Sequence, residues 1–139
     1  MSREINEIIV HCSATPPSMD IGADTIREWH KDKGWVDIGY HFVIRRNGVI
    51  ENGRNLDVAG AHAKGHNSRS IGICLVGGVK ESDRRTPDAN FTFSQYESLA
   101  VLIGELRGKV QSIAKVSGHR DYAAKACPCF DVGAFLDSA

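Results

Sequence analysis

Short β-branched runs alternate along this chain with two helical patterns, and a layered α/β domain is the arrangement that buries all of them. Ile5 to Val10 is apolar and reads as a buried strand ending at His11. A Pro- and Ser-bearing loop, Ser13 to Asp20, follows. Ala23 to Lys33 reads as a helix, with Ile26, Trp29 and His30 on one face and Gly34 as its stop. Tyr40 to Arg45 alternates as a strand does, Asn47-Gly48 signals a two-residue hairpin, and Val49 to Glu51 is the returning strand. Ser70 to Val76 is a further β-rich run, closed by Gly77-Gly78. Thr92-Phe93-Ser94-Gln95 fits a capping box, and Tyr96, Leu99, Ala100, Leu102, Ile103 and Leu106 line one apolar face of the helix behind it. Ala114 to Ser117 reads as a short strand and Asp131 to Asp137 as a terminal helix, while Asn55–Arg69, Lys80–Asn90 and Gly118–Phe130 read as loops. The expected fold is α/β: a single domain over residues 1–139, with a central mixed β-sheet flanked by helices.

Bulk properties narrow the function. A chain of 139 residues supports one domain with a genuine core. Lys plus Arg (17) balances Asp plus Glu (17), so no broad basic field exists to attract nucleic acid. No stretch approaches the roughly 20 apolar residues of a membrane span. The early run Ile8-Ile9-Val10 is shorter than the roughly 7–15 apolar residues of a secretory signal. Cytoplasmic synthesis without a signal peptide is therefore expected, with its four cysteines reduced. In that setting a metal or catalytic role outweighs a disulfide, and Cys127 and Cys129 stand too close in sequence to pair well.

Zinc favours imidazole and thiolate, and a catalytic site keeps three protein ligands with one open position. His11, His119 and Cys127 supply such a set. Spacing alone does not establish it, because eight residues separate His119 from Cys127 and no standard finger has that spacing. A half-buried His, a loop His and a buried thiol account for the same pattern, and Cys129 rivals Cys127. Cys12 and Cys74 lie among strand residues and read as core thiols, and His30 as packing against its helix. Tyr40 and His41 alternate along a strand, so only one of them faces the cleft directly. Tyr40 and Lys125 carry polar ends suited to hydrolysis, but on residues alone an edge aromatic and a solvated lysine explain them better.

The motifs taken together resemble a known family. Val10-His11-Cys12-Ser13-Ala14-Thr15, Trp29-His30-Lys31, Gly34-Trp35, Gly39-Tyr40-His41-Phe42 and His62-Ala63-Lys64-Gly65 occur in one order. Asn67, Ser70 through Gly78, Ala89-Asn90-Phe91-Thr92, and Lys125-Ala126-Cys127-Pro128 with Phe130-Asp131 continue it. The chain resembles the zinc-dependent N-acetylmuramoyl-L-alanine amidases, which share a fold with peptidoglycan recognition proteins. Within them it is most similar to the small amidase lysozymes of podophages. The resemblance implies one Zn2+ per chain held by His11, His119 and Cys127, catalysis assisted by Tyr40 and Lys125, and a substrate groove lined by His62 and Asn67. It makes Cys127, not Cys129, the ligand. It implies an endolysin-type peptidoglycan hydrolase cleaving between N-acetylmuramic acid and L-alanine. Such an enzyme is monomeric and reaches the periplasmic cell wall after holin-type release. The proton acceptor is Tyr40, His62 or the zinc hydroxide. The alternatives are a peptidoglycan-binding protein and an inhibitor of phage RNA polymerase. The short extension before the first strand argues against the second, since the phage enzymes use a longer one for it.

Overall fold

The computed structural model describes residues 3–138. Five strands form one sheet: β1 (Glu7–Cys12), β2 (Phe42–Ile44), β3 (Ile50–Asn52), β4 (Ser70–Leu75) and β5 (Lys115–Gly118). Their order is β3-β2-β4-β1-β5. β1 is parallel to β4 and β5, β2 is parallel to β4, and β3 is antiparallel to β2. The helices are α1 (Ala23–Asp32), α2 (Phe93–Lys109) and α3 (Val132–Ser138). The expected mixed sheet flanked by helices is what the chain forms. No helix among the described residues is long and apolar enough to cross a membrane.

β1 and β4 are buried along their whole length, as parallel strands covered on both faces must be. Alternation gives the two faces different chemistry. Ile8 and Val10 of β1 and Ile71, Ile73 and Leu75 of β4 pack against Leu99, Leu102, Ile103 and Leu106 of α2. The intervening residues are Glu7, Ile9 and His11, in register with Ser70, Gly72 and Cys74. That second face is only partly apolar. A smaller cluster of Ala23 and Ile26 from α1 with Ile38, Val43, Cys74 and Val76 covers one part of it. The polar and small positions beside that cluster form the floor of the site.

The capping box is closed in both directions. Thr92 Oγ1 accepts from the Gln95 backbone N–H (3.1 Å), and Gln95 Oε1 accepts from the Thr92 N–H (2.9 Å). Gln95 is completely buried, and its Nε2 donates to the carbonyls of Ile44 (3.1 Å) and Val76 (2.9 Å). One side chain thus starts α2 and fastens it to the ends of β2 and β4.

Two expectations shift. The strand expected from Tyr40 begins at Phe42, although Tyr40 and His41 still accept ladder-type bonds from Arg54 and Gly53 (2.8 Å each). The hairpin is not the two-residue turn that Asn47-Gly48 suggests. That turn needs positive φ at both central residues, and here Gly48 alone has it (φ 88°). The Gly48 N–H donates to the Arg45 carbonyl (2.8 Å), so Arg46 and Asn47 are the turn's centre and Gly48 follows them in the left-handed region. The loop expected at Asn55–Arg69 contains one 3-10 turn, Asn67–Arg69. Arginines order it: Arg3 donates to the carbonyls of Leu56 (2.8 Å) and Ser70 (2.9 Å), and Arg54 to those of Ile38 (2.8 Å) and Ala59 (2.9 Å).

Replacing Gln95 by Leu strips buried carbonyls of a donor. The Ile44 and Val76 carbonyls each keep one other donor, the Val76 N–H and Arg46, so the expected loss is roughly 1–2 kcal/mol for the hydrogen bonds and the cap, read from the urea unfolding midpoint.

Candidate metal centre

His11 is the fifth residue of β1, so its side chain projects from the partly polar face, and it is 1% exposed. The strand expected to end at His11 runs one residue further, to Cys12. β5 leads into a 3-10 turn, His119–Asp121, held by the Gly118 N–H donating to Asp121 Oδ2 (2.8 Å). This turn brings the His119 ring to 4.5 Å from that of His11. The loop returns through the Arg120 N–H donating to the Cys127 carbonyl (2.7 Å), which carries Cys127 beside both imidazoles. The ligand atoms of His11, His119 and Cys127 lie within 4.8 Å of one another. Zinc bonds of 2.0–2.3 Å set tetrahedral donors roughly 3–4 Å apart, so small side-chain adjustments close the set.

The surroundings prepare these donors. Burial, then the neighbouring His62, His119 and Lys125, hold the His11 imidazole well below its usual pKa, so its lone pair is free. Burial and Lys125 lower His119 likewise. The Cys12 backbone N–H donates to Cys127 Sγ (3.1 Å), which fixes the sulfur beside β1. The other thiols are occupied differently. Hydrogen bonding to Cys127, with burial, pushes Cys12 up to about 12. Cys129 donates to the Gly78 carbonyl (3.3 Å), and contact with Cys12 raises its pKa strongly. Cys74 is fully buried. The set is therefore two neutral imidazoles and one cysteine sulfur, the donor types that zinc favours. These three residues could hold a metal ion.

His62 backs the site. Its Nδ1 lies 2.8 Å from His11 Nε2, and its Nε2 lies 3.2 Å from Ser70 Oγ. His11 Nε2 is thereby taken, leaving Nδ1 for a metal. In that state His11 donates to His62 and His62 donates to Ser70, which fixes both tautomers. The His62 ring lies directly over Gly72, where a Cβ would stand 2.6 Å from it. Glycine in the middle of an otherwise bulky strand is what makes the room. Burial lowers His62 to about 3, and the buried His41 beneath it to about 4. His41 Nδ1 accepts from the Gly72 N–H (3.0 Å), so it is a packing residue of the floor.

A groove of about 520 Å³ opens above His119. His62, Lys64 and Asn67 line one wall, His119, Tyr122 and Lys125 the other, and Trp35 its end. Both groove residues expected from the sequence, His62 and Asn67, are there. Asn67 spends its Oδ1 on the N–H groups of His62 (2.8 Å) and Ala63 (2.9 Å), holding the wall in shape. Lys125 is exposed in the groove. Tyr40 lies elsewhere: its ring is 5.1 Å from His11, and it lines an adjoining cavity of about 350 Å³ with Ser13, Trp29 and His30. Burial, then nearby Cys74 and Cys127, raises its phenol well above 10. His30 accepts from the Gly39 N–H (2.8 Å) and packs, as expected. Sequence reasoning missed Ser70, Gly72, Glu7 and Tyr122. Gly72 within a β-branched run and a charged Glu7 inside a buried strand were the available signals.

The family model for N-acetylmuramoyl-L-alanine amidases matches residues 1–130. The chain belongs to this family. An endolysin of Klebsiella phage KP32 is 51% identical over 131 residues, covering 94% of this chain and 84% of that one. An endolysin of Escherichia phage T7 is 50% identical over 125 residues, covering 90% and 81%. Among solved structures, the N-acetylmuramoyl-L-alanine amidase LysC from Clostridium intestinale URNW superposes with a TM-score of 0.82 at 30% identity, covering 99% of this chain and 85% of that one.

His62→Ala is expected to weaken metal affinity roughly 10–100-fold, as loss of an outer-shell partner does, in a chelator competition. Gly72→Ala is expected to weaken it too, by displacing the His62 ring. In the metal-free protein, the stability contributed by neutral His41 and His62 is complete above the unfolded histidine pKa near 6.5. It is lost as pH falls toward the folded values of about 4 for His41 and about 3 for His62. Melting temperatures at pH 7.5, 6 and 5 check this, and His62→Gln flattens the decline.

Proposed function

We propose that this chain is an endolysin-type peptidoglycan hydrolase. It cleaves the amide between N-acetylmuramic acid and the L-alanine of the stem peptide, using one Zn2+ held by His11, His119 and Cys127. The carrying observation is that these three donors converge, with His119 also lining a groove, in a chain of the amidase family. When bound, zinc supplies a Lewis acid for the scissile carbonyl and an acidified water.

The chain's own residues do the rest. Lys125 sits in the groove wall and carries no resolved acidic partner there, since none of the lining residues is acidic. Its ammonium stabilises the oxyanion that develops on the carbonyl. Removal of such a donor costs roughly 10²–10³ in kcat. Tyr40 stays protonated, because its phenol is raised well above 10, and so acts as a hydrogen-bond donor at the inner edge of the site. His62 has its Nδ1 engaged with His11 and binds a proton only near pH 3, so it orients His11 and does not take the proton. His62 and Asn67 shape the groove wall that receives the stem peptide. Residues 1–139 act as one catalytic domain, working as a monomer on the cell wall after release from the cytoplasm of the bacterial host.

Mass analysis of peptidoglycan digests, with and without chelator, tests bond and metal together. Free L-alanine-terminated stem peptide is expected, disappearing with EDTA and returning with added zinc. Cys127→Ala is expected to lose both zinc and activity, and full activity without metal would refute the site. Lys125→Ala is expected to keep its zinc and lose most of the rate.

A further inference from the structure

We propose that Glu7 is a positioning residue of the groove: its one carboxylate ties together the two loops that form the groove's walls. This rests on the amidase reading, but its geometry stands apart from the metal centre. Glu7 is 8% exposed, on the same face of β1 as His11 and four residues before it, which is roughly 13 Å along a strand. Its two oxygens point to different walls. Oε2 accepts from His66 Nδ1 (3.0 Å), and Oε1 accepts from the Tyr122 hydroxyl (2.7 Å). His66 lies between Gly65 and Asn67 of one wall, and Tyr122 belongs to the other.

The clasp is reinforced where the loops meet. The His66 and Tyr122 rings stack at 3.9 Å with 26° between their planes. Ser117 Oγ lies 3.1 Å from the Tyr122 hydroxyl, and Lys115 Nζ stands 4.9 Å from the centre of its ring. The backbone N–H of Tyr122 donates to the His119 carbonyl (3.0 Å), so the tyrosine is built into the turn that presents His119. Neither wall has more than a 3-10 turn of regular structure. Such segments open first, so what holds them together sets the groove's width. A buried carboxylate resists losing either partner, because an unpaired buried charge is strongly unfavourable.

The test combines kinetics on a soluble muropeptide, zinc content and backbone hydrogen exchange. Glu7→Ala is expected to raise KM about tenfold, with kcat within about twofold and one zinc retained. Exchange should quicken in residues 61–67 and 119–125 together. Glu7→Gln keeps an oxygen for Tyr122 and offers an N–H to His66 Nδ1, so KM should return to within about twofold of wild type. Should Glu7→Ala fail to fold, Tyr122→Phe decides, since it deletes one hydroxyl. Faster exchange in the opposite wall, 61–67, supports the clasp, and exchange confined to 119–125 overturns it. Unchanged KM and exchange in Glu7→Ala, or zinc lost with activity, also overturns it. If the wild type releases no stem peptide, the amidase reading fails, while the exchange data still decide the clasp.

Discussion

Everything at the site depends on β1 being covered on both faces yet apolar on only one. Parallel pairing with β4 and β5 forces β1 into the middle of the sheet, where both of its faces leave water. Ile8 and Val10 satisfy one face with α2. On the other, Glu7 and His11 are polar groups in a buried setting, and each must be given partners. Those partners are the site. His11 recruits His62 and through it Ser70; Glu7 recruits His66 and Tyr122. The loops around the groove are arranged as they are because two buried polar side chains on one strand must be satisfied.

The same economy explains why the irregular segments are ordered. Residues 53–69 have little periodicity and few apolar anchors, but Arg3 and Arg54 cross-brace them through backbone carbonyls. Asn67 does the same at shorter range for the turn that carries His62. Polar side chains here take the part that a hydrophobic core takes elsewhere.

The fold was largely legible in the sequence, because its core strands and α2 have the strongest local patterns. β1, β4 and the capped start of α2 are period and capping signals that tertiary packing reinforces. The hairpin was legible as a turn and misread in type, since Asn47-Gly48 fits two turn geometries and only the backbone angles separate them. The site was much less legible from residues alone. Its three donors come from two distant segments, so no spacing encodes them, and only the family resemblance joined them. His62 was expected in the groove and is there, but its contact with His11 depends on Gly72 being side-chain-free, a relation between two strands and a loop. Glu7, His66 and Tyr122 are three separate polar residues in the sequence and one network in space.

The distance along the chain between the donors has a consequence of its own. Cys12 and Cys127, joined by an N–H···S bond, are 115 residues apart, and His11 and His119 are nearly as far. A metal held there closes almost the entire polypeptide into a ring. Closing so long a ring removes much conformational freedom from the unfolded chain, as a long-range crosslink does. Binding energy at the centre is then also folding energy. Loss of a metal from such a centre would loosen the fold and the site together.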